Sequence, residues 1–100
     1  VIDGDTFVIN GKAYRVADVD TPESANPKCA REAELAGKAR RRLQALLNAG
    51  PIELRGVGPD EDVYGRKLRT LHRDGRSLGA VLVSEGLAHR PAGRGKGWCA

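Results

Sequence analysis

Asn10-Gly11 stands between two short runs of strand-forming residues, Thr6-Phe7-Val8-Ile9 and Ala13-Tyr14-Arg15-Val16. Both central residues of the tightest hairpin turn need positive φ, which Asn and Gly tolerate best, so this pair predicts a β-hairpin near the start of the chain. The second strand is expected to run on towards Val19 and to stop at Pro22, which has no N–H to give to a ladder. A loop rich in Pro, Ser and Asn follows, from about Thr21 to Lys28. Beyond it, Leu35, Ala36, Ala39, Leu43, Leu46 and Leu47 recur at helical spacing. Glu32 and Glu34 near the start and Lys38, Arg40, Arg41 and Arg42 further on suit the dipole of such a helix. Gly50 and Pro51 end it.

Ile52 to Val57 reads as a third strand, after which Gly56, Gly58 and Pro59 open a charged loop, Asp60-Glu61-Asp62. Arg66 to Arg73 reads as a fourth strand closed by the turn Asp74-Gly75. Ser77 is a plausible N-cap for a short helix carrying Leu78, Val81 and Leu82 and ending at Glu85-Gly86. Residues 90–100 are Gly-rich and basic and are expected to form a loose tail, pinned at most by Trp98. No repeat or second domain is visible, so residues 1–100 form one small α+β unit. A Greek-key barrel is one natural closure for it.

Composition narrows the function classes. Forty per cent hydrophobic and thirty per cent charged residues exclude a disordered chain, and no apolar run is long enough for a transmembrane helix. The chain opens at Val1 without Met, partway into a motif, as a mature or trimmed form would. Seventeen Lys and Arg against thirteen Asp and Glu give +4, which alone implies little more than solubility. Their placement says more. Carboxylates gather at Asp3 to Asp5 and Asp18 to Glu23, each beside Thr, while the cations are spread out. A basic chain with local acidic clusters suggests a metal site facing an anionic substrate. The basic run at 40–42 reads first as a solvated helix face. Cys29 and Cys99, with His72 and His89, lack zinc-ligand spacing. The two cysteines either remain thiols or form one disulfide; pairing is the outcome expected if the chain matures in an oxidising compartment.

Four segments carry chemistry: Asp3-Gly4-Asp5-Thr6, Arg15, Asp20-Thr21-Pro22-Glu23 and Tyr64-Gly65-Arg66. Each alone has a bland structural explanation. Together, in this order, with Asp62-x-Tyr64-Gly65-Arg66 and Leu82-Val83-x-x-Gly86-Leu87-Ala88, they resemble the staphylococcal nuclease (thermonuclease) family. The resemblance runs from Asp3 to about Ala88. It implies a five-stranded oligonucleotide-binding (OB) β-barrel with a long helix and a short one, and calcium-dependent hydrolysis of phosphodiester bonds in DNA or RNA with little sequence specificity.

Carried onto this chain, the resemblance makes Asp5, Asp20 and the Thr21 carbonyl the calcium ligands, an all-oxygen set suited to a hard cation. Glu23 matches the general base acting on water. Arg15 and Arg66 match the phosphate-binding, charge-stabilising arginines, and Tyr64 a phosphate contact. Asp3 and Thr6 are expected to fix the loop or support the ligands from behind. Two departures stand out. The family's first strand is reduced to Val1-Ile2, which bears on barrel closure, and its long C-terminal helix has no counterpart. Four aromatic residues in the chain offer few stacking platforms. The alternative is a non-catalytic nucleic-acid-binding OB module, which should lack part of the carboxylate–arginine set; a peptide-binding scaffold leaves the acidic clusters without a purpose. A monomer, no membrane association and export from the cytoplasm are expected.

Overall fold

The computed structural model describes residues 1–91 and 97–99. Strands β1 (Thr6–Ile9) and β2 (Lys12–Val16) form the expected hairpin, with Asn10 at φ 51° and Gly11 at φ 78°. Helix α1 (Ala30–Asn48) follows, then β3 (Glu53–Glu61), β4 (Lys67–Arg73), β5 (Arg76–Ser77) and helix α2 (Leu78–Ser84). The strand order is β1-β2-β4-β3, with β5 paired to β4. β2 and β4 run parallel, Arg15 opposite Leu68, and the other pairs are antiparallel.

α1 buries Ala36, Ala39, Leu43 and Leu46 along one stripe, as its periodicity predicts. Arg73 anchors its C-terminal end, donating to Leu46 O in the last turn at 2.6 Å and to Gly50 O just beyond the helix at 2.7 Å. α2 starts on Ser77, whose hydroxyl accepts the Ala80 N–H at 3.1 Å. Arg42 grips Glu85 through two bonds of 2.7 and 2.8 Å and ties the helices together. The core joins Phe7, Val16 and Leu71 of the sheet to Leu43 and Leu46 of α1 and Leu78, Val81 and Leu82 of α2, with Val19 from the loop after β2.

The mixed α+β fold, with five strands and two helices, is consistent with the expected OB fold, while several finer expectations are corrected. Among the described residues the five-stranded sheet stays open rather than closing into a barrel. Its order ends on β1 and β3, which do not pair. Val1-Ile2 forms no strand. The chain instead folds back, Ile2 N–H donating to Thr6 O at 2.8 Å, with an isolated bridge between Asp3 and Thr6. The fifth strand is Arg76–Ser77, produced by the Asp74-Gly75 turn. β2 ends at Val16, short of Val19. β3 runs through the expected charged loop, because Asp60 and Glu61 face cations on β4. Lys67 lies 2.7 Å from Asp60 and 3.1 Å from Glu61, and Arg69 lies 2.6 Å from Asp60.

Part of the expected loose tail is held. Arg90 contacts the Asp18 carboxylate at 3.3 Å, Trp98 stacks on His89 with centroids 3.9 Å apart, and Cys99 is disulfide-bonded to Cys29. The rest of that stretch, 92–96 and 100, lies outside the described residues.

Candidate active site

A cleft of about 360 Å³ is lined by Asp3, Asp5, Arg15, Asp20, Thr21, Pro22, Glu23, Tyr64 and Arg66. All seven residues singled out from the sequence (Asp5, Arg15, Asp20, Thr21, Glu23, Tyr64 and Arg66) therefore meet in one place. The topology accounts for this. The parallel β2–β4 pair sets Arg15 beside the start of β4, which Arg66 immediately precedes. The hairpin places the turn before β1 next to Arg15, with Thr6 opposite it in the register.

Gly4 lets that turn approach α1. A Cβ there would stand 2.7 Å from Ala39 Cβ and 3.0 Å from Thr21 Cγ2, so only glycine fits between helix and loop. The approach brings Asp5 to Thr21. Asp20 is held through its backbone, which exchanges two hydrogen bonds of 2.8 Å with His89.

Arg15 bridges the two carboxylates. Its Nη2 lies 2.6 Å from Asp20 Oδ1 and 3.5 Å from Asp5 Oδ2, and its Nη1 donates to Val16 O at 2.9 Å. Burial pushes the Asp5 carboxyl above its ordinary range, against the opposing pull of Arg15 and of the Thr6 hydroxyl, which donates to Oδ1 at 3.1 Å. An anion in this setting favours any further positive charge brought close to it.

Arg66 is set by Asp62. The Asp62 Oδ1 accepts the N–H groups of Tyr64 and Arg66, both at 2.9 Å, and Oδ2 accepts from Arg66 Nε at 2.6 Å. Burial pushes the Asp62 carboxyl up, but these bonds outweigh it and hold it below its usual value. Arg66 Nη1 reaches Thr6 Oγ1 at 3.4 Å, so the buried Thr6 links Asp5 to Arg66. Tyr64 is 81% exposed, with the Arg66 guanidinium 5.5 Å from its ring centroid. Glu23 lies exposed at the cleft.

Two contributors were missed in the sequence. Asp62 was only part of a quoted motif; the four-residue spacing to Arg66 was the available signal. Glu32 read as a helix-dipole carboxylate, yet it is 5% exposed and lies on the buried stripe one turn ahead of Ala36. Among the described residues no group of three or more His, Cys, Asp or Glu side chains is arranged to hold a metal. The cleft brings together the Asp5 and Asp20 carboxylates and Thr21, all bearing oxygen, with the Arg15 guanidinium standing between the carboxylates. In donor chemistry the set fits a hard divalent ion that retains water ligands.

Comparison with known proteins gives a consistent picture. Residues 13–95 match the family described as staphylococcal nuclease homologue. The chain is 38% identical over 92 residues to endonuclease YncB of Bacillus subtilis (strain 168), covering 87% of this chain and 43% of that protein. It is 34% identical over 92 residues to the SPbeta prophage-derived endonuclease YokF of the same organism, covering 87% and 31%. The chain thus spans less than half the length of these curated relatives.

Proposed function

The chain belongs to the staphylococcal nuclease family, and on that premise we propose that it hydrolyses phosphodiester bonds of DNA or RNA with calcium as cofactor and little sequence preference. The observation that carries this is the convergence of Asp5, Asp20, Glu23, Arg15 and Arg66 on one cleft. Both matched relatives are named endonucleases, which supports the same activity here.

In this reading Asp5, Asp20 and the Thr21 carbonyl would hold the ion, and a bound ion would supply Lewis-acid polarisation and charge stabilisation there. Glu23 accepts a proton from the attacking water, and its placement at the cleft must supply much of the effect. Arg66, held by Asp62, offers its remaining guanidinium N–H groups to the phosphate as negative charge grows there. Arg15 anchors the phosphate in ground and transition states alike. Tyr64 adds a contact at the rim. The protein acts as a monomer. The Cys29–Cys99 bond supports export to an oxidising compartment. Among the described residues no helix is long and apolar enough to cross a membrane.

One observation favours a second reading. Arg15 already pairs with both carboxylates, as it would in a nucleic-acid-binding module without catalysis. Plasmid and RNA degradation by demetallated protein, with added calcium and with excess EGTA, separates the two. Cleavage that appears with calcium and vanishes with chelator is expected. Binding without cleavage under all conditions would leave the module reading standing, and undiminished cleavage in EGTA would remove calcium from the mechanism.

A further inference from the structure

The segment carrying Glu23 is tethered by very little. Among the described residues, no backbone–backbone hydrogen bond involves residues 22–28, and 23–28 are all exposed. One buried side chain spans the segment. Glu32 Oε2 accepts the Glu23 N–H at 3.0 Å, and Glu32 Oε1 accepts the Lys28 N–H at 2.7 Å. A single carboxylate thus closes both ends of the loop, and among the described residues its one other side-chain hydrogen bond runs from Ser24 Oγ to Asp3 Oδ1.

We propose that Glu32 is a positioning residue whose carboxylate fixes the 23–28 loop and so places the Glu23 side chain at the cleft. The proposal rests on the nuclease reading above. A carboxylate on the buried stripe of a helix is expensive where an apolar residue would pack. No side-chain cation lies within ion-pair distance of it among the described residues, so the two charge-assisted N–H bonds are its main compensation. A plain helix cap would look different. In a capping box the glutamate at the third helical position returns to the N–H of the N-cap residue. Here the N-cap is Cys29, and Glu32 reaches past it to Lys28 and Glu23.

The test is Glu32→Gln in the full disulfide-bonded chain, with single-turnover cleavage of an oligonucleotide, oligonucleotide affinity and calcium dependence measured together. Glutamine keeps the length but turns one acceptor into a donor, so one of the two N–H groups loses its partner. The cleavage rate per folded molecule should fall by about 10- to 100-fold, because displacement of a reacting group by about 1 Å has that effect. Oligonucleotide affinity and calcium dependence should stay within about threefold, since neither the arginines nor the ion ligands hang on Glu32. An unchanged rate per folded molecule overturns the proposal and leaves a helix cap. So does a loss that follows calcium affinity alone. If the glutamine variant does not fold, Glu32→Asp makes the same comparison, its shorter carboxylate unable to span both amides. If the parent itself does not cleave, the nuclease reading fails separately. Amide exchange then decides the clamp: Glu23 and Lys28 amides protected in the parent and exposed in the variant uphold it, and equal exchange overturns it.

Discussion

The Cys29→Ser/Cys99→Ser double variant should melt well below the parent. The bond joins residues 70 apart, enclosing both helices and three of the five strands. Chain-entropy arguments put the constraint on the unfolded state at roughly 4 kcal/mol for a loop of this length, and native proteins commonly realise about 2–4. Serine is the informative replacement because Cys29 also caps α1, its sulfur accepting the Glu32 N–H at 3.4 Å. A hydroxyl takes over that role, so the helix start is preserved and the loss reports the cross-link. For a domain of about 100 residues each kcal/mol shifts Tm by about 4–8 °C, so the expected drop is about 10–25 °C. Melting followed by far-UV circular dichroism on the parent, the parent in reductant and the variant measures it. If all three melt within about 2 °C of one another, less than about 0.5 kcal/mol is at stake and the cross-link reasoning is wrong.

Glu23→Gln should keep calcium and oligonucleotide binding while losing about 10²–10⁴ in single-turnover rate, and Arg66→Ala should lose about 10²–10³. Parent-like rates in both would remove them from the chemistry. Asp20→Ala should weaken calcium affinity first, with part of the lost rate returning at high calcium, whereas Arg15→Ala should weaken oligonucleotide binding as well as rate; a calcium titration of both variants separates them. Gly4→Ala should cost about 1–3 kcal/mol in urea unfolding through its clash with Ala39 and Thr21, and should loosen calcium binding by displacing Asp5. The Glu32 carboxyl is held below its ordinary value of 4.5 by the Lys28 N–H and then the Glu23 N–H, so its contribution to stability is present above about pH 4.5 and is lost as pH falls through the lower folded value. Denaturation from pH 6 to pH 3 should therefore show a steeper decline in the parent than in Glu32→Gln, and parallel curves would refute it.

Much of this was legible in the sequence where a local rule and the tertiary fold agree. Asn10-Gly11 and Asp74-Gly75 both take positive φ because no other pair of residues meets that demand so cheaply. Ala36, Ala39, Leu43 and Leu46 face inward because a single period fits both helix and core. The failures lie where distant partners decide. Asp60 and Glu61 look like loop residues until Lys67 and Arg69 are placed opposite them. Sheet closure depends on strand pairings that no local pattern encodes. For the site, the seven residues were legible as motif members, but their support was not. Glu32 and Asp62 both accept backbone N–H groups, a role that residue type alone does not announce, although the spacing of Asp62 to Arg66 hinted at it.

The parallel pairing of β2 with β4 has a consequence for biosynthesis. Asp5, Arg15, Asp20 and Glu23 all leave the ribosome in the first quarter of this segment, yet the strand beside which Arg15 is seated, and Arg66 with it, are made some fifty residues later. A nascent chain therefore carries the acidic half of the site without the strand that completes it. Under the nuclease reading proposed above, the cleft stays incomplete until β4 has emerged and paired.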